Sequence, residues 1–218
     1  MPRQAPGGKS RPRVQYCSCM STTPPPRRGR PGHDREAVLH AAIAVFTEQG
    51  YEAASVSGIA ARLGLTKSAL YHHFSSKEEL LRIALDTALS GLEGVLDAAE
   101  HAHPAASARL EHVVRGAVAV LIAEQPSVTL LLRLRGNSPA ERAALERRRV
   151  FDQRVTALVR QAQEEGSIRA DIDPAVATRL VFGMINSLVE WYRPGGREDA
   201  ERLAGDVLAV ALDGLLAR

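Results

Sequence analysis

Aromatic residues are scarce in this chain. One Trp, four Tyr and four Phe make up 4% of it. Ala, Leu and Val are abundant instead, and Ala and Leu are strong helix formers, so the composition leans toward an all-helical protein. Cysteine is nearly absent. Cys17 and Cys19 are separated by one residue, too few for an ordinary structural disulfide, and no His/Cys set elsewhere completes a zinc site. A disulfide-free body fits a reducing cytoplasm. No apolar run approaches the ~20 residues that span a bilayer; the longest, Val113 to Ala123, is interrupted by Arg115. No membrane partner is therefore expected. The N-terminal stretch is rich in Pro and Arg and lacks the apolar segment of a secretory signal, which again points to a cytoplasmic protein. G-x-S-x-G, a phosphate-binding Walker loop, paired catalytic carboxylates and metal motifs are all missing, so neither an enzyme nor a cofactor is expected. His101 and His103 flank a predicted loop at Pro104 without further ligands, too little for a metal site.

The 218 residues suffice for one or two domains, and 45% hydrophobic with 24% charged residues is a normal globular balance. The net charge of +3 is unevenly spread. Arg3, Lys9, Arg11, Arg13, Arg27, Arg28, Arg30 and Arg35 face a single acid, Asp34, in the first 35 residues, so the rest of the chain is net acidic. A basic arm on a mildly acidic body suits a polyanionic partner, although a solubilising tail has the same composition. Residues 1–33 have no apolar period and read as a disordered basic arm. Met20, inside it, offers an alternative start that would leave residues 1–19 untranslated.

From Asp34 onward the pattern is helical. Val38, Ala42, Val45 and Phe46 follow the stripe of an amphipathic helix that ends at Gly50. Short helices are predicted from Val56 to Leu63 and from Thr66 to His73. Ser75 with Glu78 reads as a capping box opening a long helix striped by Leu80, Leu81, Ala84, Leu85, Ala88, Leu92, Val95 and Leu96. A break around Pro104 is followed by helices over Leu110–Glu124 and from Pro126 to Arg135. Ser138-Pro139 and Asp173-Pro174 are cap-plus-first-turn pairs opening helices to Glu165 and Tyr192, and a last helix runs from Glu198 to Leu216. The sum is about nine helices and no convincing strand.

The strongest local signal is SVSGIAARLGLTKSALYHHF, residues 55–74. A helix-turn-helix needs a small residue where two short helices touch, a turn residue tolerant of positive φ, and apolar anchors around both. Ala60, Gly64 and the set Ile59, Leu63, Leu65 and Leu70 stand at the required spacing.

This stretch resembles the TetR family of bacterial transcriptional regulators. The resemblance begins in REAVLHAAIAVFTEQG, residues 35–50, and continues through Tyr71-His72-His73-Phe74 to Ser76-Lys77-Glu78-Glu79-Leu80. It departs at Ser57 and Gly58, where most members carry charged or polar residues. It implies an all-α fold with a three-helix DNA-binding domain over residues 34–79 and a helical ligand-binding and dimerisation domain over residues 80–218. The helix after Thr66 would lie in the major groove of double-stranded operator DNA. Thr66, Lys67 and Ser68 would reach base edges and phosphates, with Ser55, Tyr71, His72 and Lys77 toward the backbone. Arg27, Arg28 and Arg30, in an Arg-Gly-Arg-Pro context, would enter the adjacent minor groove. Phe74 reads as a core anchor.

A single helix-turn-helix buries too little surface for tight binding, so a homodimer is expected. By resemblance, the last two helices build the dimer interface, with Leu180, Met184, Leu188, Leu203, Val207 and Val210 as candidates. The middle helices would enclose a small hydrophobic effector. Leu96, Val118, Leu121, Phe151, Phe182 and Trp191 are the leading lining candidates, followed by Leu92, Val114, Leu131 and Leu158. Each also fits a plain core position. Gly183-Met184-Ile185-Asn186 and Trp191-Tyr192-Arg193-Pro194-Gly195-Gly196 resemble a subset of the family that senses acyl-CoA thioesters. Arg133, Arg135, Arg147, Arg148, Arg149 and Arg154 are candidate partners for CoA phosphates. The implied mechanism is two-state: effector binding shifts the long helix starting near Ser76 and spoils the spacing of the two recognition helices, about 34–36 Å. The functional expectation is a ligand-responsive transcriptional regulator, a repressor released by its effector. A non-specific architectural DNA binder is the alternative.

Overall fold

The computed structural model describes residues 34–196 and 199–213, which form nine α-helices and no β-sheet among the described residues. The basic arm, with Arg27, Arg28, Arg30, Cys17, Cys19 and Met20, lies outside the described residues, as do the predicted end of the last helix at Leu216 and its predicted start at Glu198.

Helix α1 (Arg35–Gln49) begins where the Asp34 carboxylate accepts the Ala37 N–H at 2.8 Å and stops at Gly50, whose φ is 82°. It buries Val38, Ala42, Ile43, Val45 and Phe46. Helices α2 (Val56–Arg62) and α3 (Lys67–Tyr71) pack with α1 into a small bundle. Helix α4 (Lys77–Ala102) starts beside that bundle and runs far beyond it. Ser76, not Ser75, is its cap, and accepts the Glu79 N–H at 3.0 Å. The Glu79 carboxylate reaches back to the Ser75 N–H at 2.6 Å, so the capping box is one residue later than its sequence reading.

Helix α5 (Ala106–Ala123) is the central element, packed against α4, α6, α7, α8 and α9. It begins four residues before its predicted start. No side chain of its own caps it, but the Glu165 carboxylate accepts the Ala106 N–H at 2.8 Å from fifty-nine residues away. Val113, Val114 and Val118 are fully buried along it. Helix α6 (Gln125–Leu132) turns off α5 by 102°. That bend carries it back to α1. No single helix among the described residues is long and apolar enough to cross a membrane.

Helices α7 (Pro139–Glu164) and α8 (Pro174–Trp191) open as their sequences foretell. The Ser138 hydroxyl accepts the Glu141 N–H, and the Asp173 carboxylate accepts the N–H groups of Ala175 and Val176. Such caps are each worth about 0.5–2 kcal/mol. Helix α9 (Ala200–Asp213) packs mainly on α5.

Candidate nucleic-acid interface and effector cavity

The α2–α3 connection has the geometry of a helix-turn-helix. Gly64 stands at φ 66°, a conformation that disfavours a Cβ. Around it the Ala61 carbonyl accepts the Gly64 N–H at 3.0 Å and the Ala60 carbonyl accepts the Leu65 N–H at 2.9 Å. Ile59, Ala60, Leu70 and Phe74 are buried, and Leu63 and Leu65 pack against them. On the outer side, the Arg62 guanidinium grips the Glu48 carboxylate at 2.6 and 2.7 Å, tying α2 to α1. That pairing holds Glu48 below the usual carboxylate range.

Burial of Leu70 decides which side of α3 faces outward. Lys67, Ser68, Tyr71 and His72 share the exposed side, at the i, i+1, i+4, i+5 spacing of one helical face. The Lys67 ammonium lies 5.8 Å from the Tyr71 ring centroid. Thr66 and Ser55 are exposed at the N-termini of α3 and α2, and their hydroxyls cap those helices by accepting the Ala69 and Gly58 N–H groups.

Lys77 is placed differently from its expected reach toward a phosphate. Its ammonium donates to the Tyr51 carbonyl at 2.8 Å and the Ala54 carbonyl at 3.0 Å. It also stands 4.3 Å from the Tyr51 ring centroid. A cation already held by two carbonyls and an aromatic face closes the α1–α2 connection; it does not point at a partner.

A cavity of about 750 Å³ lies among α4, α6, α7 and α8. Leu92, Val128, Leu131, Leu132, Phe151 and Phe182 are among its apolar lining, and Arg148, Arg149, Arg160, Arg179, Asp152, Thr156 and Asn186 are among its polar lining. Phe151 and Phe182 meet edge to face, centroids 5.4 Å apart. Arg149 pairs with Glu146 at 2.6 Å. Arg148, Arg160 and Arg179 make no ion pair or hydrogen bond among the described residues. A smaller cleft, about 570 Å³, separates the N-terminal halves of α4 and α7, but Glu78, Glu79 and Asp86 on its wall suit an anion poorly.

Of the leading lining candidates, Phe151 and Phe182 reach the cavity, as do Leu92 and Leu131 from the wider set. Val118 and Leu121 do not: they point into the packed centre around α5 and are buried there. Leu96 borders a separate groove of about 180 Å³ together with Leu158. Val114 is core, and Trp191 is 50% exposed at the end of α8.

The candidate CoA-binding arginines are redistributed in the same way. Arg147 bridges α7 to α4, meeting Glu93 at 2.7 Å and Asp86 at 2.7 Å. Arg154 repeats the bridge about two turns along, to Asp97 and Glu100, both at 2.8 Å. Arg133 donates to the Thr47 carbonyl at 3.1 Å. Arg135 does not line the cavity. Only Arg148 and Arg149 do, joined by Arg160 and Arg179, which sequence reasoning missed. Arg160 lies three turns beyond Arg149 on α7, a spacing that the sequence contained.

The expected dimer residues divide between two sides. Leu180 is 66% and Val210 69% exposed, with Met184 half-buried beside Leu180's face. Leu188, Leu203 and Val207 are buried within the subunit, so they hold α8 and α9 in place and do not form an outward surface. Val176 and Trp191 extend the exposed α8 stripe instead.

Comparison with known proteins agrees with this geometry. The family described as bacterial regulatory proteins, tetR family, matches residues 38–83, and the tetracyclin repressor-like C-terminal domain matches residues 103–215. The HTH-type transcriptional repressor KstR2 of Mycobacterium tuberculosis is 30% identical over 195 residues, covering 86% of this chain and 95% of that protein. The crystal structure of SCO3833, a TetR-family member from Streptomyces coelicolor, is 49% identical with a TM-score of 0.76, over 83% of this chain and 91% of that one. The structure of KstR2 of M. tuberculosis, described as a ketosteroid transcriptional regulator, is 27% identical with a TM-score of 0.76, over 86% of this chain and 98% of that one.

Proposed function

The chain belongs to the TetR family of DNA-binding transcriptional regulators, and from that premise we propose that it is a homodimeric repressor released from its operator by an anionic amphiphile of the acyl-CoA class. The observation that carries the effector reading is the cavity's mixed lining, in which apolar side chains stand together with Arg148, Arg160 and Arg179, three arginines without an ion pair or hydrogen bond among the described residues. A cation with no bonded partner beside apolar surface attracts an anionic head, while the apolar lining offers about 25 cal/mol per Å² for burying a tail. The likeness to a ketosteroid regulator supports an apolar effector body.

DNA is read by the exposed face of α3, with Lys67, Ser68, Tyr71 and His72 assisted by Thr66, Ser55 and the arginines of the arm. Residues 34–79 act as the DNA-binding domain and the remainder as the effector and dimerisation domain. The dimer forms on the α8–α9 stripe of Val176, Leu180, Met184, Trp191 and Val210. It works in the cytoplasm, and it needs no catalytic group. Effector binding moves α6 and α4, which both line the cavity and both touch α1.

Calorimetric titration of the purified protein with a long-chain acyl-CoA tests the effector reading. Saturable binding is expected, lowered about tenfold or more when Arg148 and Arg179 are both changed to Ala. Equal binding by wild type and variant would remove the cavity from the account.

A further inference from the structure

Asp152 is the cavity group for which an anionic effector leaves no obvious use. Its carboxyl is half-buried on α7, next in sequence to Phe151 of the apolar lining and one turn from Arg148. It accepts no hydrogen bond and makes no ion pair among the described residues. The neighbouring hydroxyls are spent: Thr156 donates to the Asp152 backbone carbonyl at 2.8 Å, and Thr178 donates to the Pro174 carbonyl at 2.9 Å. Arg148 and Arg179 lie near enough to attract it but not to bond it. Burial therefore dominates, pushing the carboxyl above the usual range, with the two arginines opposing that shift. A half-buried carboxylate without a protein donor leaves its acceptor oxygens open to a ligand donor.

We propose that Asp152 accepts a hydrogen bond from an N–H or O–H group at the junction between the effector's apolar body and its anionic head. The position follows from its neighbours: Phe151 of the apolar lining is next in sequence and meets Phe182, while Arg148 and Arg179 stand near enough to attract the carboxylate. A CoA thioester satisfies both demands, because the amide N–H groups of its pantetheine arm lie between the acyl chain and the phosphates. An ionised fatty acid has an anionic head and an apolar tail but no donor. Asp152 thus selects thioester over free acid at a site whose arginines attract both. This inference rests on the reading of the cavity as the effector site.

The test is calorimetry with two probes, hexadecanoyl-CoA and hexadecanoate, on wild type, Asp152→Val and Asp152→Asn. Thermal melts of the three proteins confirm that each is folded. The expected result is opposite signs. Asp152→Val weakens hexadecanoyl-CoA about tenfold or more and strengthens hexadecanoate, since a repelling carboxylate has gone. Asp152→Asn keeps an acceptor oxygen and loses less thioester affinity than the Val variant. Strengthening of both probes would mean that Asp152 only repels anions, and weakening of both would mean that it only shapes the wall; either overturns the proposal and leaves the effector cavity standing. If hexadecanoate binds none of the proteins, the thioester decides alone: graded loss from Asn to Val supports the proposal, and unchanged or stronger binding overturns it. A wild-type protein that binds neither probe overturns both the inference and the effector reading beneath it.

Discussion

The Arg133 guanidinium donates to the Thr47 backbone carbonyl at 3.1 Å and so joins the end of α6 to the end of α1. Helix α6 presents Val128, Leu131 and Leu132 to the cavity and also packs on α1. A ligand that displaces α6 therefore pulls directly on the DNA-binding bundle, alongside the route through α4. Changing Arg133 to Ala is expected to leave the melting temperature nearly unchanged, since an exposed hydrogen bond contributes only about 0.5–1.5 kcal/mol. Its effect falls on the coupling, for which the family of two-state switches spans about 1–3 kcal/mol. Operator affinity with and without effector checks this: the release ratio drops about threefold or more, by the same conversion of free energy to affinity.

Lys67 and Lys77 are separated by their partners. Lys67 is exposed on α3 beside the Tyr71 ring and makes no hydrogen bond or ion pair among the described residues, whereas Lys77 is bound to the carbonyls of Tyr51 and Ala54. Lys67→Ala is expected to weaken operator binding and to reduce the salt slope by about one unit. Lys77→Ala leaves the salt slope unchanged and lowers the melting temperature, because it removes the clasp on the α1–α2 connection. Salt titrations of both variants, beside thermal melts, distinguish the two roles.

Gly116 on α5 faces Val95 on α4. A Cβ at Gly116 would stand 2.3 Å from Val95 Cγ1 and 3.1 Å from its Cβ. Alanine in a helix interior otherwise gains about 0.5–1 kcal/mol over glycine, but overpacking at such a distance costs about 1–3 kcal/mol. Gly116→Ala is therefore expected to be destabilising, by a few degrees in melting temperature. The double variant Gly116→Ala with Val95→Ala recovers part of the loss, because the clash and not the lost glycine is the cause.

These particular residues also show where the sequence was informative. Ser138-Pro139 and Asp173-Pro174 specify their helix starts locally, and the structure has both caps in place. The Ala60–Gly64 turn is equally local. At the start of α4 two boxes are written side by side, Ser75 with Glu78 and Ser76 with Glu79, and only the backbone path chooses the second. The cavity was the least legible part. Val118 and Phe151 are both apolar residues on amphipathic helices, and which one meets a void depends on how α5 is surrounded. Arg147 and Arg148 are adjacent in sequence, yet one is taken up by Glu93 and Asp86 from α4 and the other is left at the cavity. Pairings between residues more than fifty positions apart leave no periodic trace.

Asp152 also gives the unliganded protein a pH signature. Because burial raises its carboxyl above the unfolded value, the native state holds this proton more tightly than the unfolded chain does. Its contribution to stability is therefore fully present at acid pH and falls as pH rises through the shifted value. Asp152→Asn removes that titration. The variant is expected to melt higher than wild type at about pH 7, with the difference shrinking as the pH falls through the raised value and on below the ordinary aspartate range, where the carboxyl takes up its proton. Melting curves across that range, without effector, check the sign.

The central claim is sequence-specific DNA binding that an effector reverses. The most direct measurement is the affinity of the purified protein for its best site, selected from random duplexes, in the presence of competitor DNA and then of long-chain acyl-CoA. The account predicts an enriched palindrome whose half-sites lie a whole number of helical turns apart, about 34–36 Å per turn, and an affinity that falls about 5–150-fold on adding the thioester. Recovery of no preferred sequence would contradict it.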